Sequence, residues 1–124
     1  WSVDDALRCR EVTGCTDLML GRGVLCRPDL PRLVAAATAN GDTCEPLAWN
    51  AITPLLLRFF ALTLRDYDAH CAGNPLKQWL VYLRGYFPQA GPLFEQVKRL
   101  HDPEAIVAAL RHAQPLDGDK RLAA

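Results

Sequence analysis

Methionine occurs once in these 124 residues, at Met19, and the chain opens on Trp1. Initiator methionine is removed only before small residues, so a chain opening on tryptophan is expected to continue something longer. Net charge is missing as well. Fourteen Lys and Arg balance fourteen Asp and Glu, which excludes both an acidic tail and the overall basic signature of a general nucleic-acid binder. Metal-knuckle spacing is absent from the five cysteines, Cys9, Cys15, Cys26, Cys44 and Cys71, and their odd number speaks against a disulfide framework. They read as reduced, mostly buried small hydrophobes of a cytoplasmic protein. His70, His101 and His112 are scattered, and no metal is expected. The longest apolar run, near Leu55–Leu64, is broken by Arg58, so no membrane span is expected. No signal peptide is visible at the start.

What is present is a globular composition, 50% hydrophobic and 23% charged. The charge is slightly uneven. Residues 1–73 carry seven basic and nine acidic side chains, and residues 74–124 carry seven and five.

Ser2 and Asp5 have the spacing of a capping box. It predicts a helix to about Thr13, with Ala6, Leu7, Cys9 and Val12 inward and Gly14 as its stop. Leu18-Met19-Leu20 is short and uniformly apolar, the pattern of a parallel strand buried on both faces. Gly21-Arg22-Gly23 follows, then a short helical turn, Pro28, and a helix from Asp29 or Leu30 to Ala39. Asn40-Gly41-Asp42 closes this helix–strand–helix unit. A lone strand cannot satisfy its own backbone groups, and no other segment reads as a strand. Residues 1–43 are therefore expected to be the edge of a larger α/β sheet or barrel.

From residue 44 onward only helices are expected. Ile52, Leu55, Leu56, Phe59, Leu62 and Leu64 recur at helical spacing to about Asp68, with Pro54 placed near the first turn. A loop through Gly73-Asn74-Pro75 leads to a helix from Leu76 to about Tyr86. Pro92 begins another, ending near Leu100. Asp102-Pro103-Glu104 starts a last helix to about Ala113, and residues 114–124 read as a frayed tail.

Two features carry candidate chemistry. Gly21-Arg22-Gly23, between an apolar strand and a short helix, has the makings of an anion site, because glycine admits close approach and a helix start offers free N–H groups. The plain alternative is a strand-to-helix turn with a solvated arginine. In Leu76–Phe87, Lys77 and Arg84 stand seven residues apart on one helical face, with Leu80 and Leu83 nearer the core and Trp79 and Tyr82 at the flanks. Such a stripe suits an RNA backbone and a stacked base, and Arg58, Lys98 and Arg99 would widen it. The alternative is an ordinary solvated face.

The segment DLMLGRGVLCRPDL resembles the tRNA-dihydrouridine synthase pattern D-x-x-M-I-G-R-G-A-L-x-x-P-x-L. KQWLVYLR, followed ten residues later by Phe94 of LFEQVKRL, is similar to the C-terminal helical domain of the branch that modifies uridine 16. Together the matches run in order to about Ala113. The resemblance implies a flavoprotein: a (β/α)₈ TIM barrel carrying FMN, followed by a helical bundle that holds tRNA. Reduced FMN delivers hydride to a uridine, a loop cysteine protonates the other carbon, and NADPH supplies the electrons. Gly21, Arg22 and Gly23 match the turn at the FMN phosphate, and Lys77 and Arg84 match basic positions facing tRNA. Trp1 matches a position just after an Asn-Gly phosphate turn. No cysteine here matches the catalytic one, which lies upstream, and Pro75 stands where close relatives often carry a basic residue.

The expectation is thus an α/β fragment, the last units of a TIM barrel (1–43), followed by an all-α tRNA-binding bundle (44–124). The parent would reduce uridine 16 of tRNA as a cytoplasmic monomer, and this chain alone would be inactive. The competing expectations are a non-enzymatic helical RNA-binding module and a protein-interaction bundle.

Overall fold

A computed structural model of the chain describes residues 2–39 and 44–113. The turn expected at Asn40-Gly41-Asp42 and the tail beyond Ala113 lie outside the described residues. The chain divides into two compact units, Trp1–Leu47 and Ala48–Ala124.

In the first unit, α1 spans Val3–Thr13 and begins with the expected capping box. The Ser2 hydroxyl accepts from the Asp5 amide at 3.1 Å, and the Asp5 carboxylate accepts from the Ser2 amide at 3.0 Å, so two orphan donors of the first turn are satisfied reciprocally. Gly14 ends the helix at φ 68°, and its N–H donates to the Arg10 carbonyl. Only a residue without Cβ adopts that left-handed conformation at little cost.

The inner face of α1 is narrower than its apolar pattern. Ala6 is buried, but Leu7 and Cys9 are exposed and Val12 is 76% exposed; nor is any other cysteine buried as expected, Cys15 and Cys71 being exposed and Cys26 and Cys44 half-buried. The reason lies in what the helix has to pack against. Helix α2 (Gly23–Cys26) is a single turn, and α3 (Leu30–Ala39) buries Leu30, Leu33 and Val34. Ala6, Leu30 and Val34 form a small core joined by Val3, Leu18 and Leu20, which covers one edge of α1 only.

The expected strand Leu18–Leu20 is not one. Its residues lie in no regular element, and no strand occurs among the described residues. Strands exist by pairing, and no described segment runs as a partner. Nor is the run buried on both sides: Leu18 and Leu20 are half-buried, while Met19 is fully exposed. That is the period-two alternation of a chain with one covered face. The described residues are helical, not α/β.

The described residues of the second unit form a closed ring of four helices: α4 (Trp49–Asp66), α5 (Gly73–Leu83), α6 (Ala90–Val97) and α7 (Pro103–His112). Helix α4 packs on α5 and α7, and α6 completes the ring between them. The buried stripe of α4 is Trp49, Ile52, Thr53, Leu56, Phe60 and Thr63, at the three-and-four spacing of one helix face. Ile52 and Leu56 are inward as expected. Leu55 and Leu62 are 37% and 45% exposed, and Phe59 and Leu64 are half-buried. The stripe centres on Phe60 because the buried threonines lie within it. The Thr63 hydroxyl reaches the Phe60 and Ala72 carbonyls, each at 2.9 Å, and buried hydroxyls so bonded cost little.

Three prolines, Pro54 expected near a first turn, Pro75 in the loop before a helix and Pro92 at a helix start, all lie inside helices. Pro54 is the sixth residue of α4, where its missing N–H frees the Asn50 carbonyl. The Thr53 hydroxyl lies 3.4 Å from that oxygen. Pro75 and Pro92 are third residues of α5 and α6, in the first turn, where no intrahelical donor is lost. Helix α7 begins as expected, with the Asp102 carboxylate accepting from the Ala105 amide at 2.9 Å. The Trp49 indole N–H donates to the Ala113 carbonyl at 3.2 Å, tying the start of α4 to the end of α7.

Candidate anion turn and nucleic-acid interface

The Gly21-Arg22-Gly23 turn opens α2. Its carbonyls are occupied: Gly21 accepts from Val24, Arg22 from Leu25 and Cys26, and Gly23 from Arg27. The N–H groups of the same three residues have no acceptor among the described residues. Neither glycine has a positive φ, so the turn does not require glycine for its conformation. A Cβ at Gly21 would meet nothing within 4 Å. The turn therefore presents consecutive donors with open space beside Gly21, whereas Gly23 is buried; consecutive free N–H groups are what a backbone offers an anion. Arg22 is exposed.

Just past this turn lies a residue the sequence did not single out. Asp29 is 3% exposed. One carboxylate oxygen accepts from the Leu47 amide at 2.9 Å and faces the Arg27 guanidinium at 3.5 Å. The other is buried without a hydrogen bond. An aspartate just before a helix reads as a cap; here the side chain instead pins the segment leading to residue 48.

In the second unit, the predicted cationic face of α5 is turned toward α6. Lys77 is half-buried and donates through Nζ to the Leu100 carbonyl at 2.7 Å. Arg84, the exposed C-cap of α5, sets its guanidinium carbon 6.0 Å from the centroid of Phe94 on α6. Leu80 and Leu83 are fully buried beneath them. Trp79 meets Phe59 edge-on at 5.1 Å, so this aromatic flank is shared between α5 and α4. Lys98 pairs with Glu95 one turn earlier. Arg58 and Arg99 are exposed and make no ion pair among the described residues. The five predicted cations thus do not form one free stripe: Lys77 is a structural donor, Arg84 covers an aromatic ring, and Lys98 pairs with Glu95.

A pair that sequence reasoning missed lies in the turns. His70, between α4 and α5, and His101, between α6 and α7, stack with centroids 4.4 Å apart and planes at 11°. Nδ1 of His101 lies 3.4 Å from the His70 carbonyl oxygen. They are 31 residues apart, and no local pattern signals such a meeting.

Among the described residues no three His, Cys, Asp or Glu side chains come together as a metal site. No helix there is long and apolar enough to cross a membrane.

No family model matches the chain, and no solved structure does. Curated proteins do match. The chain is 43% identical over 106 residues to a tRNA-dihydrouridine(16) synthase of Aquipseudomonas alcaligenes, covering 86% of this chain and 33% of the relative. It is 41% identical over 102 residues to the protein of that name from Pseudomonas putida, covering 82% and 31%. With the one from Shewanella oneidensis the identity is 34% over 114 residues, covering 92% and 34%. The chain spans about a third of the length of the curated relatives it matches, and the matched third is their C-terminal part. By sequence the chain is thus similar, over most of its length, to the C-terminal part of proteins named tRNA-dihydrouridine(16) synthase.

Proposed function

We propose that this chain forms the C-terminal part of an FMN-dependent enzyme that reduces a uridine of tRNA, at position 16, to dihydrouridine with electrons from NADPH. The observation that carries the reading is the identity of 34–43% to proteins of that name across most of the chain. In this reading residues 1–43 are the edge of the FMN-binding barrel and residues 44–124 the helical tRNA-binding domain.

The Gly21-Arg22-Gly23 turn fits the proposed cofactor at one point. Three adjacent unpaired N–H donors, with open space beside Gly21, suit a phosphate dianion. When bound, the flavin supplies the hydride chemistry. This chain's own contribution is to hold its phosphate, and the exposed Met19 and Val12 are apolar surface for the rest of a barrel to cover.

A chimera tests the flavin part. The N-terminal two-thirds of the Pseudomonas putida relative joined to this chain is expected to purify with bound FMN. Gly21→Val, which fills the open space beside the donors, should lower the flavin content. An equal flavin content in both proteins would remove Gly21 from the site.

The helical unit supports a second reading, RNA binding without chemistry, because Arg58, Arg84 and Arg99 are exposed on it. It predicts tRNA affinity in the isolated chain that falls with added salt, as phosphate contacts release counterions. Both readings share the tRNA. They separate on whether the chimera makes dihydrouridine.

A further inference from the structure

Resting on the reading of the helical unit as an RNA-binding surface, we infer that the stacked His70–His101 pair is a platform on which one unpaired base of the RNA stacks. Both imidazoles are exposed, yet they lie parallel within 11° and 4.4 Å apart. Two exposed rings held face to face leave an outer π-face of the same orientation. A third flat ring extends such a stack whatever its sequence identity, which is how proteins hold splayed single-stranded bases.

The platform is fixed from both sides of the fold. His70 belongs to the turn whose Ala72 carbonyl is bonded by the buried Thr63 hydroxyl. His101 follows Leu100, whose carbonyl holds the Lys77 ammonium at 2.7 Å. On its other side Asp102 is committed to capping α7, so its carboxylate is already occupied by the Ala105 amide. Lys77 is in this sense a positioning residue for His101. Among the exposed acids Asp68 and Asp102 that flank the platform stands one cation: Arg99 lies two residues before His101, exposed and without an ion pair among the described residues. A phosphate flanking the stacked base would find that guanidinium. The base comes from a loop rather than a duplex, since only an unpaired base offers its face.

The test measures tRNA binding by the full chain as a function of salt, for the wild type, His101→Ala, His101→Phe, His70→Ala and Arg99→Ala. Base–aromatic stacking is worth about 1–3 kcal/mol per base, so either alanine change at a histidine is expected to weaken binding by about tenfold. The salt slope should stay unchanged, because no phosphate contact is lost. His101→Phe, which keeps a flat ring, should bind within about threefold of the wild type. Arg99→Ala should reduce the salt slope by about one contact. Cross-linking of tRNA carrying 4-thiouridine in its loops should label the peptides holding His70 or His101, a readout independent of any change in folding. Unchanged affinity in both histidine-to-alanine variants overturns the proposal. So does an affinity loss at His101→Ala accompanied by a reduced salt slope, which would make the histidine a phosphate contact, and so does cross-linking confined to other peptides. Absence of tRNA binding by the wild type is a different result: it sinks the RNA-binding reading itself, and this inference with it.

Discussion

The Lys77 ammonium donates to the carbonyl of Leu100 at 2.7 Å, across 23 residues of sequence. That bond converts a residue placed by its helical spacing on a cationic stripe into a clamp between α5 and the turn after α6. A hydrogen bond involving a charged group contributes about 1.5–3 kcal/mol, and Lys77 is only half-buried. Lys77→Ala is therefore expected to lower stability by about 1–2 kcal/mol, read from denaturant unfolding. Its effect on the salt slope of tRNA binding should be smaller than that of Arg99→Ala. A large fall in slope with unchanged stability would show that the lysine contacts phosphate.

Gly73 lies against the same clamp. A Cβ there would come within 2.9 Å of Ile106 Cδ1 and 3.5 Å of Lys77 Cε, and Ile106 is fully buried. The start of α5 needs glycine for space on α7 and not for conformation. Gly73→Val is expected to destabilise by about 1–3 kcal/mol through overpacking. A stability equal to the wild type would mean that α5 and α7 separate freely.

Helix α4 separates pattern from packing. Leu56 is fully buried and Leu62 is 45% exposed, although both belong to the apolar series read from the sequence. Leu56→Ala should cost about 2–5 kcal/mol, and Leu62→Ala about 1 kcal/mol or less. Thermal unfolding of the two variants checks this, and equal losses would place the core face of α4 elsewhere.

Such contrasts show what the sequence makes legible. Local chemistry is readable: the Ser2–Asp5 box, the Gly14 stop and the Asp102-Pro103 start all occur where their hydrogen bonds dictate. Prolines are less so, because the first turn of a helix tolerates them at several positions, and Pro75 and Pro92 do not mark its first residue. The α4 face is a tertiary property. Phe59 and Phe60 are adjacent, and only the neighbours α5 and α7 decide which of them goes in. Leu18–Leu20 has the composition of a strand but no partner among the described residues. The Gly21–Gly23 turn is legible because glycine spacing is local, while His70–His101 and Asp29–Leu47 are meetings across the fold.

Asp29 makes a prediction of its own. Its carboxylate holds the Leu47 amide at 2.9 Å, so Asp29→Ala should expose that amide to exchange, while Asp29→Asn, which keeps an acceptor oxygen, should retain much of the protection. Loss of a buried partner costs about 1–3 kcal/mol, and the exchange rate at Leu47 reads it directly. Full protection in Asp29→Ala would mean that another group holds the segment.

The most direct test joins this chain to the N-terminal two-thirds of the Pseudomonas putida relative and supplies the chimera to cells lacking their own tRNA-dihydrouridine(16) synthase. The nucleoside at position 16 of tRNA is then identified by mass spectrometry. Dihydrouridine at that position is the predicted result. Unmodified uridine from a soluble, flavin-loaded chimera would contradict the account.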